Sequence, residues 1–353
     1  MPIDRAENGA RVDVVSDATR LLRVILTLAL PTLLAGTGAA AGQEQTRQYY
    51  VAAEEVMWDY APSRKALIHG HGPSDGIPRP WAGNTRKKKV RYVEYTDATF
   101  TIRKPQPEWL GILGPIIRAE VGDTVVVHFL NRAKGRYGIH PHGLRYTKEH
   151  EGAFYPPAGA GAAIPPGGRF VYTWAADASS GPGPGDPSSI VWWYHSHVDE
   201  PVETNLGLLG PLIVTARGHA RPDASPADVD REFVLLFMIF NENRPGGEKE
   251  ERGLMHTING YIFGNLAGLV MNNGERVRWH GLGMGNESDL HTAHWHGKTL
   301  RFQGRNTDVV ELLPGSMATA DMLADNPGIW LLHCHVADHI HAGMFTTFTI
   351  TGP

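Results

Sequence analysis

Four short histidine clusters stand out along the chain: HPH (His140, His142), HSH (His195, His197), HTAHWH (His291, His294, His296) and HCH (His333, His335). Side chains alternate along an extended strand, so a His-x-His pair in a strand presents both imidazoles on one face. A single pair reads equally well as a polar edge strand. Four pairs, two on each side of a polar stretch near residue 220, call for strands that bring rows of imidazoles together.

The remaining sequence agrees with a fold of strands. Short runs rich in Val, Ile, Thr, Phe and Tyr, such as TVVVHFL, RFVYTW and SIVWWY, lie between turn signals, and the chain carries 41 glycines and 25 prolines. That pattern predicts an all-β architecture of sandwiches, and 353 residues suit two domains. The polar, proline-bearing HARPDASPADVD reads as a linker. It sets a first domain at 43–218, a linker at 219–232 and a second domain at 233–353. The second domain repeats the order of turn, strand and histidine cluster seen in the first, so two copies of one sandwich are expected. The glycine-rich AGAGAAIPPGG and SSGPGPGDPSS read as surface loops.

Thirty-three basic residues against 37 acidic ones, with no basic stripe, give no sign of a nucleic-acid partner, and none is expected. At the N-terminus, Arg20 and Arg23, an apolar run and the small-residue end Ala39-x-Ala41 read as an export signal over residues 1–42. This points to a periplasmic or extracellular protein. The acidic Asp4, Glu7, Asp13 and Asp17 ahead of the run leave an uncleaved membrane anchor as the alternative.

The single cysteine, Cys334, has a direction imposed by its neighbours. If His333 and His335 face one side of a strand, Cys334 faces the other, into its own domain. His291, three residues before His294, turns the same way, and His339 and Met344 follow close behind. Two imidazoles, a thiolate and a weak thioether describe a blue-copper electron-transfer site. On the opposite face His294, His296, His333 and His335, with His140, His142, His195 and His197 of the first domain, suit a three-copper site for dioxygen. The HCH tripeptide then joins the sites, so that an electron crosses Cys334 to His333 or His335. Zinc in a closed tetrahedron uses about four ligands and leaves most of these donors unexplained. A cysteine hydrolase lacks a base on the thiol's own side of the strand.

With the motifs LGILGPIIRAEVGDTVVVHFLNRA, IHPHG, KEHEGAFYP, WYHSHVD, INGYIFGNLAGL, GMGNESDLHTAHWHG and GIWLLHCHVADHIHAGM, the chain resembles the multicopper oxidases of the ceruloplasmin and hephaestin type over roughly Tyr49 to Thr351. The resemblance implies two cupredoxin-like Greek-key domains and four coppers per functional unit. It makes His291, Cys334, His339 and Met344 the type 1 ligands, and His140 and His294 the type 2 ligands. His142, His195, His197, His296, His333 and His335 become the ligands of the type 3 pair. It also implies an iron site at Glu251, His256 and Asp338, with Glu287 serving an adjoining domain pair. Carboxylates with one imidazole suit hard Fe(II) and favour Fe(III) more. Glu250, Glu251 and Glu287 taken singly read as solvated charges.

Because relatives of this type carry six such domains and this sequence shows two, the resemblance further implies a homotrimer with trinuclear clusters between subunits. The expected activity is oxidation of Fe(II) coupled to four-electron reduction of O2 to water. The alternatives are a laccase-like oxidase of phenols or aromatic amines, a cuprous oxidase in copper handling, and a scaffold with vestigial sites. The acidic residues that often follow EGAFYP are missing, so calcium is not expected.

Overall fold

The computed structural model describes residues 44–68, 76–243, 250–286 and 289–352. The export signal at 1–42, Glu287, and His69 and His71 of IHGHG, a His-x-His in a glycine-bounded stretch that reads as surface loop, lie outside the described residues. No helix among the described residues is long and apolar enough to cross a membrane.

The first half contributes strands β1 (Thr46–Asp59), β2 (Arg86–Tyr95), β3 (Ile117–Glu120), β4 (Thr124–Asn131), β5 (His140–Pro141), β6 (Arg169–Ala175) and β7 (Ser189–His195). Helix α1 (Glu200–Leu206) and strand β8 (Leu209–Thr215) complete it. The second half contributes β9 (Arg231–Asn241), β10 (Leu254–Ile258), β11 (Val270–Asn272), β12 (Arg276–Gly283), β13 (His291–Trp295), β14 (Leu300–Phe302) and β15 (Arg305–Thr307). It ends with β16 (Val309–Leu312), β17 (Met317–Leu323), β18 (Gly328–Cys334), helix α2 (Ala337–His341) and β19 (Phe345–Thr351). Strand β9 therefore starts at Arg231, two residues inside the stretch read as linker.

The internal repeat holds at the level of strand order. Sheets β2-β1-β4-β6 and β3-β8-β7-β5 of the first sandwich correspond to β10-β9-β12-β17 and β11-β19-β18-β13 of the second. The second adds β14, β15 and β16 at the edges. Both sandwiches pair β-strands in parallel at the same place, β1 with β4 and β9 with β12.

Strand β9 shows why its sequence, REFVLLFMIF, is a continuous apolar run rather than an alternating one. Phe233, Leu235, Phe237 and Ile239 enter the core of the second sandwich. Val234, Leu236, Met238 and Phe240 pack on the other side with Val191, Trp193, Leu209 and Ile213 of the first. A strand buried on both faces has no polar face to alternate with. The two sandwiches thus share an apolar seam, which fixes their relative placement through the hydrophobic effect rather than through the connecting peptide.

Polar contacts reinforce that seam. Arg278 on β12 is completely buried and bonds the hydroxyls of Ser188 and Ser189, each at 2.8 Å, across to the first sandwich. Its other donors reach Asp321 at 2.7 and 2.9 Å and Asp228 at 3.3 Å. The connecting segment carries Asp228 and buries Ala224, so it is a fitted strap rather than a free linker. The glycine-rich loop after Pro157 also departs from expectation: Ala162, Ala163 and Ile164 are buried, and Ile164 bridges to Tyr137. Its two ends, residues 158–160 and 165–167, are the parts that fit a surface loop.

Candidate metal centres

Each histidine cluster sits at the end of a strand. His140 lies opposite His195 across the β5–β7 ladder, and His294 lies opposite His333 across β13–β18. The glycine after each leading motif, Gly143 in HPHG and Gly297 in HWHG, has positive φ and backs onto a tryptophan. A Cβ there would come within 2.2 Å of Trp192 or 2.6 Å of Trp330. Only glycine permits that turn against that ring, and the turn carries the chain away from the second imidazole.

On the inner side of β18, Cys334 is fully buried and meets His291 and His339. Its Sγ lies 3.8 Å from His291 Nδ1 and 3.5 Å from His339 Nδ1, and the two nitrogens are 3.2 Å apart. Donors at about 2.0–2.3 Å from one metal ion, in tetrahedral or trigonal array, stand roughly 3.5 Å apart. The three atoms therefore frame a metal-sized gap. Met344 is buried in the same core, and its backbone is tied to both neighbours: Cys334 N donates to Met344 O, and Met344 N to His339 O, each at 3.0 Å. Burial pushes the Cys334 thiol up, so in the metal-free chain it holds its proton. A bound cation reverses that, because the thiolate is the ligand.

On the outer side the imidazoles form two separate clusters among the described residues, His140–His142–His195 and His294–His296–His333. Nitrogens face nitrogens within each: His142 Nε2 to His195 Nε2 at 3.0 Å, His296 Nε2 to His333 Nε2 at 3.0 Å, and His294 Nδ1 to His333 Nε2 at 3.1 Å. His197 and His335 stand at the rims, with ring centroids 5.2 Å from His140 and from His294 respectively. Burial, with help from neighbouring imidazoles, brings His142, His195 and His333 down to about 4. They are neutral at physiological pH, which leaves lone pairs to give to a cation. Carbonyl oxygens fix which nitrogen that is. Nδ1 of His140 donates to Glu151 O at 2.7 Å, that of His195 to Ser196 O at 2.9 Å, and that of His333 to Cys334 O at 2.7 Å. Nε2 is then the free donor in each.

Beside His339 a cavity of about 490 Å³ opens, lined by Glu251, His256, Asp338 and His341 among others. His256 is 5% exposed, its ring centroid lies 5.2 Å from that of His339, and neither of its nitrogens is hydrogen-bonded. Its Nε2 is 3.4 Å from Glu251 Oε1, close enough for one ion to reach both. Burial and the nearby Asp338 carboxylate raise Glu251 above the usual carboxylate range.

Two multicopper oxidase family models match the sequence, one over residues 110–219 and the other over 235–352. The chain belongs to the multicopper oxidase family. Among its relatives, hephaestin of Mus musculus is 40% identical over 342 residues, covering 87% of this chain and 29% of the relative. Ferroxidase HEPHL1 of Homo sapiens is 38% identical over 338 residues, covering 86% and 29%. Ceruloplasmin of Homo sapiens is 39% identical over 338 residues, covering 86% and 30%. The chain thus spans less than a third of the length of these relatives. In fold it is similar to a multicopper oxidase crystal structure, with TM-score 0.62 at 20% identity over 87% of this chain and 89% of the other. The blue copper oxidase of Nitrosomonas europaea gives TM-score 0.55 at 21% identity, covering 87% and 86%. These neighbours establish the cupredoxin-like sandwiches expected of a multicopper oxidase, and membership in the family makes copper the metal.

Three carboxylates beside the multicopper oxidase histidines escape a reading of the sequence. Asp289 Oδ1 lies 3.3 Å from His291 Nε2, Asp308 Oδ2 lies 3.5 Å from His294 Nε2, and Glu200 Oε2 lies 3.4 Å from His197 Nε2. Asp289 and Glu200 are near their histidines in sequence but follow no ligand spacing. Asp308 is brought up by the β13–β16 pairing, where His294 lies opposite Val309.

Proposed function

We propose that the chain is a ferroxidase: four Fe(II) ions and four protons combine with one O2 to give four Fe(III) ions and two waters. The observation that carries this reading is the cavity that ends on His339, lined by Glu251, Asp338 and the unbonded His256 imidazole. Oxygen ligands hold Fe(II) and hold Fe(III) more tightly, so binding itself favours loss of the electron. His256 and His339 lie ring to ring, which gives that electron a short way inward.

In this reading His291, Cys334, His339 and Met344 hold a type 1 copper, and His140 and His294 hold a type 2 copper. His142, His195, His197, His296, His333 and His335 hold the type 3 pair, which brings the total to four. Together these coppers would supply one-electron transfer at the thiolate end and O2 reduction at the imidazole end. The residues' own part is to fix tautomers, exclude water and connect the two ends. Cys334 and His333 are consecutive on β18, with Cys334 O accepting from His333 Nδ1.

Each chain carries two separate histidine clusters on different sandwiches. That separation supports a homotrimer in which the first sandwich of one copy completes the second sandwich of the next. Residues 1–42 would direct export.

Steady-state oxidation of Fe(II) and of a bulky phenol by the wild type, Glu251→Ala and Asp338→Ala tests the substrate. Iron turnover should fall at least tenfold while phenol turnover is retained. Equal losses for both substrates, or unaffected iron oxidation, would rule the iron site out. Cys334→Ser should abolish the blue colour and all substrate oxidation while copper remains on the histidines.

A further inference from the structure

The cavity beside His339 is too large and too mixed in charge for a bare ion. A hexahydrated ferrous ion needs roughly 200 Å³ at about 30 Å³ per water, against about 490 Å³ here. The remaining wall includes Arg79, Trp81 and Leu254. Arg79 comes from the first sandwich, is exposed, and makes no ion pair or hydrogen bond among the described residues. Asp338 is likewise exposed and without an ion pair. Trp81 presents no stacking face, since it is 3% exposed and its indole N–H donates to Leu254 O at 2.9 Å.

An unpaired guanidinium beside a cation site repels a bare cation. The same group is an asset if the cation arrives inside an anionic complex, since guanidinium forms paired hydrogen bonds with carboxylates. We propose that the pocket takes ferrous ion already held by a small polycarboxylate chelator. Arg79 pairs with a carboxylate of the chelator while Glu251, His256 and Asp338 face the metal. This inference rests on the ferroxidase reading above. The Fe(II) complex gives up one electron by way of His339 to O2, the oxidant of the ferroxidase reading, and leaves as the Fe(III) complex. No chelator bond is made or broken, and the ferric product stays shielded from hydrolysis.

The test uses the copper-loaded full chain with two forms of Fe(II): the aquo ion in a non-coordinating buffer, and the citrate complex, each corrected for autoxidation. Arg79→Gln should raise KM for the citrate complex about tenfold, the scale of one lost charge-assisted pair. It should lower KM for the aquo ion, because a repelling charge has gone. Arg79→Lys should restore part of the citrate KM, having the charge without the fork. Shifts of the same sign for both forms, or an unmoved citrate KM, overturn the inference. If the wild type oxidises the aquo ion in a Glu251-dependent way but not the citrate complex, this inference falls and the ferroxidase reading stands. If it oxidises neither, both fall.

Discussion

Asp289 and His291 meet with both side chains fully shielded from solvent, the carboxylate 3.3 Å from the ring nitrogen opposite the one that faces Cys334. The carboxylate is itself held, with Oδ1 accepting from Ile239 N at 2.7 Å and Oδ2 from Asn286 N at 2.9 Å. By accepting a hydrogen bond from Nε2–H it keeps the proton on that nitrogen, leaves the Nδ1 lone pair for a metal and fixes the ring's angle. Outer partners of this kind are worth about 10–100-fold in metal affinity. Asp289→Asn should therefore bind copper at the Cys334 site on the order of tenfold more weakly in chelator competition, with a shifted charge-transfer band. An unchanged affinity and spectrum would reduce Asp289 to a loop-bracing role.

Acid should weaken the copper-free protein before its carboxylates titrate. Burial keeps His142, His195, His256 and His333 at about 4, below the usual 6.5 of histidine. Between those values the unfolded chain binds protons that the folded chain refuses, so stability falls as pH drops through 6.5 toward 4 and is unaffected by these groups above 6.5. Urea midpoints of copper-depleted protein from pH 7.5 to 5 should show the decline, and His142→Gln should flatten part of it. A level profile over that range would mean that the clusters open to water when the metal is absent.

Arg278 is the polar pin between the sandwiches, and its loss should be felt by the whole molecule. Removing one partner of a buried ion pair costs about 3–5 kcal/mol. Here Asp228 and Asp321 are 43% and 37% exposed and can be rehydrated, so about 2–3 kcal/mol is expected for Arg278→Met. The denaturation midpoint should fall accordingly, and a transition that splits in two would show that the apolar seam alone does not couple the sandwiches. No change would mean that Val234, Leu236, Met238 and Phe240 hold them unaided.

What could be read from the sequence follows from period. The alternation of His333, Cys334 and His335 gives opposite faces to thiol and imidazoles from the sequence alone, because a two-residue repeat is local. The recurrence of turn, strand and histidine cluster was legible as well, because each of those signals is local, whereas the order of strands within each sheet was not. Asp308 was not, since β16 must pair with β13 before it approaches His294. Arg278 was not either: a charged residue in a strand reads as exposed, and it takes Asp321 on the neighbouring strand, the strap carrying Asp228 and the hydroxyls of Ser188 and Ser189 to make its burial tolerable. The apolar run of β9 was visible, but its meaning, a strand shared by two cores, depended on a neighbouring sandwich.

The separation of the histidine clusters makes the assembly testable by mixing two crippled chains. His195→Ala disables the cluster on the first sandwich, and His333→Ala disables that on the second. Under the proposed trimer, each variant alone would then lack every complete shared site and be inactive toward O2. In a head-to-tail ring, an interface is intact wherever the first sandwich of a His333→Ala chain meets the second sandwich of a His195→Ala chain. Unfolding and refolding the two together at equal amounts should give such interfaces about a quarter of the time by random assortment, with about a quarter of wild-type oxidase activity. If one chain supplied both clusters to its own site, no mixture would recover activity. Zero recovery from well-folded, copper-loaded mixtures would therefore refute the shared-site trimer, whatever the substrate proves to be.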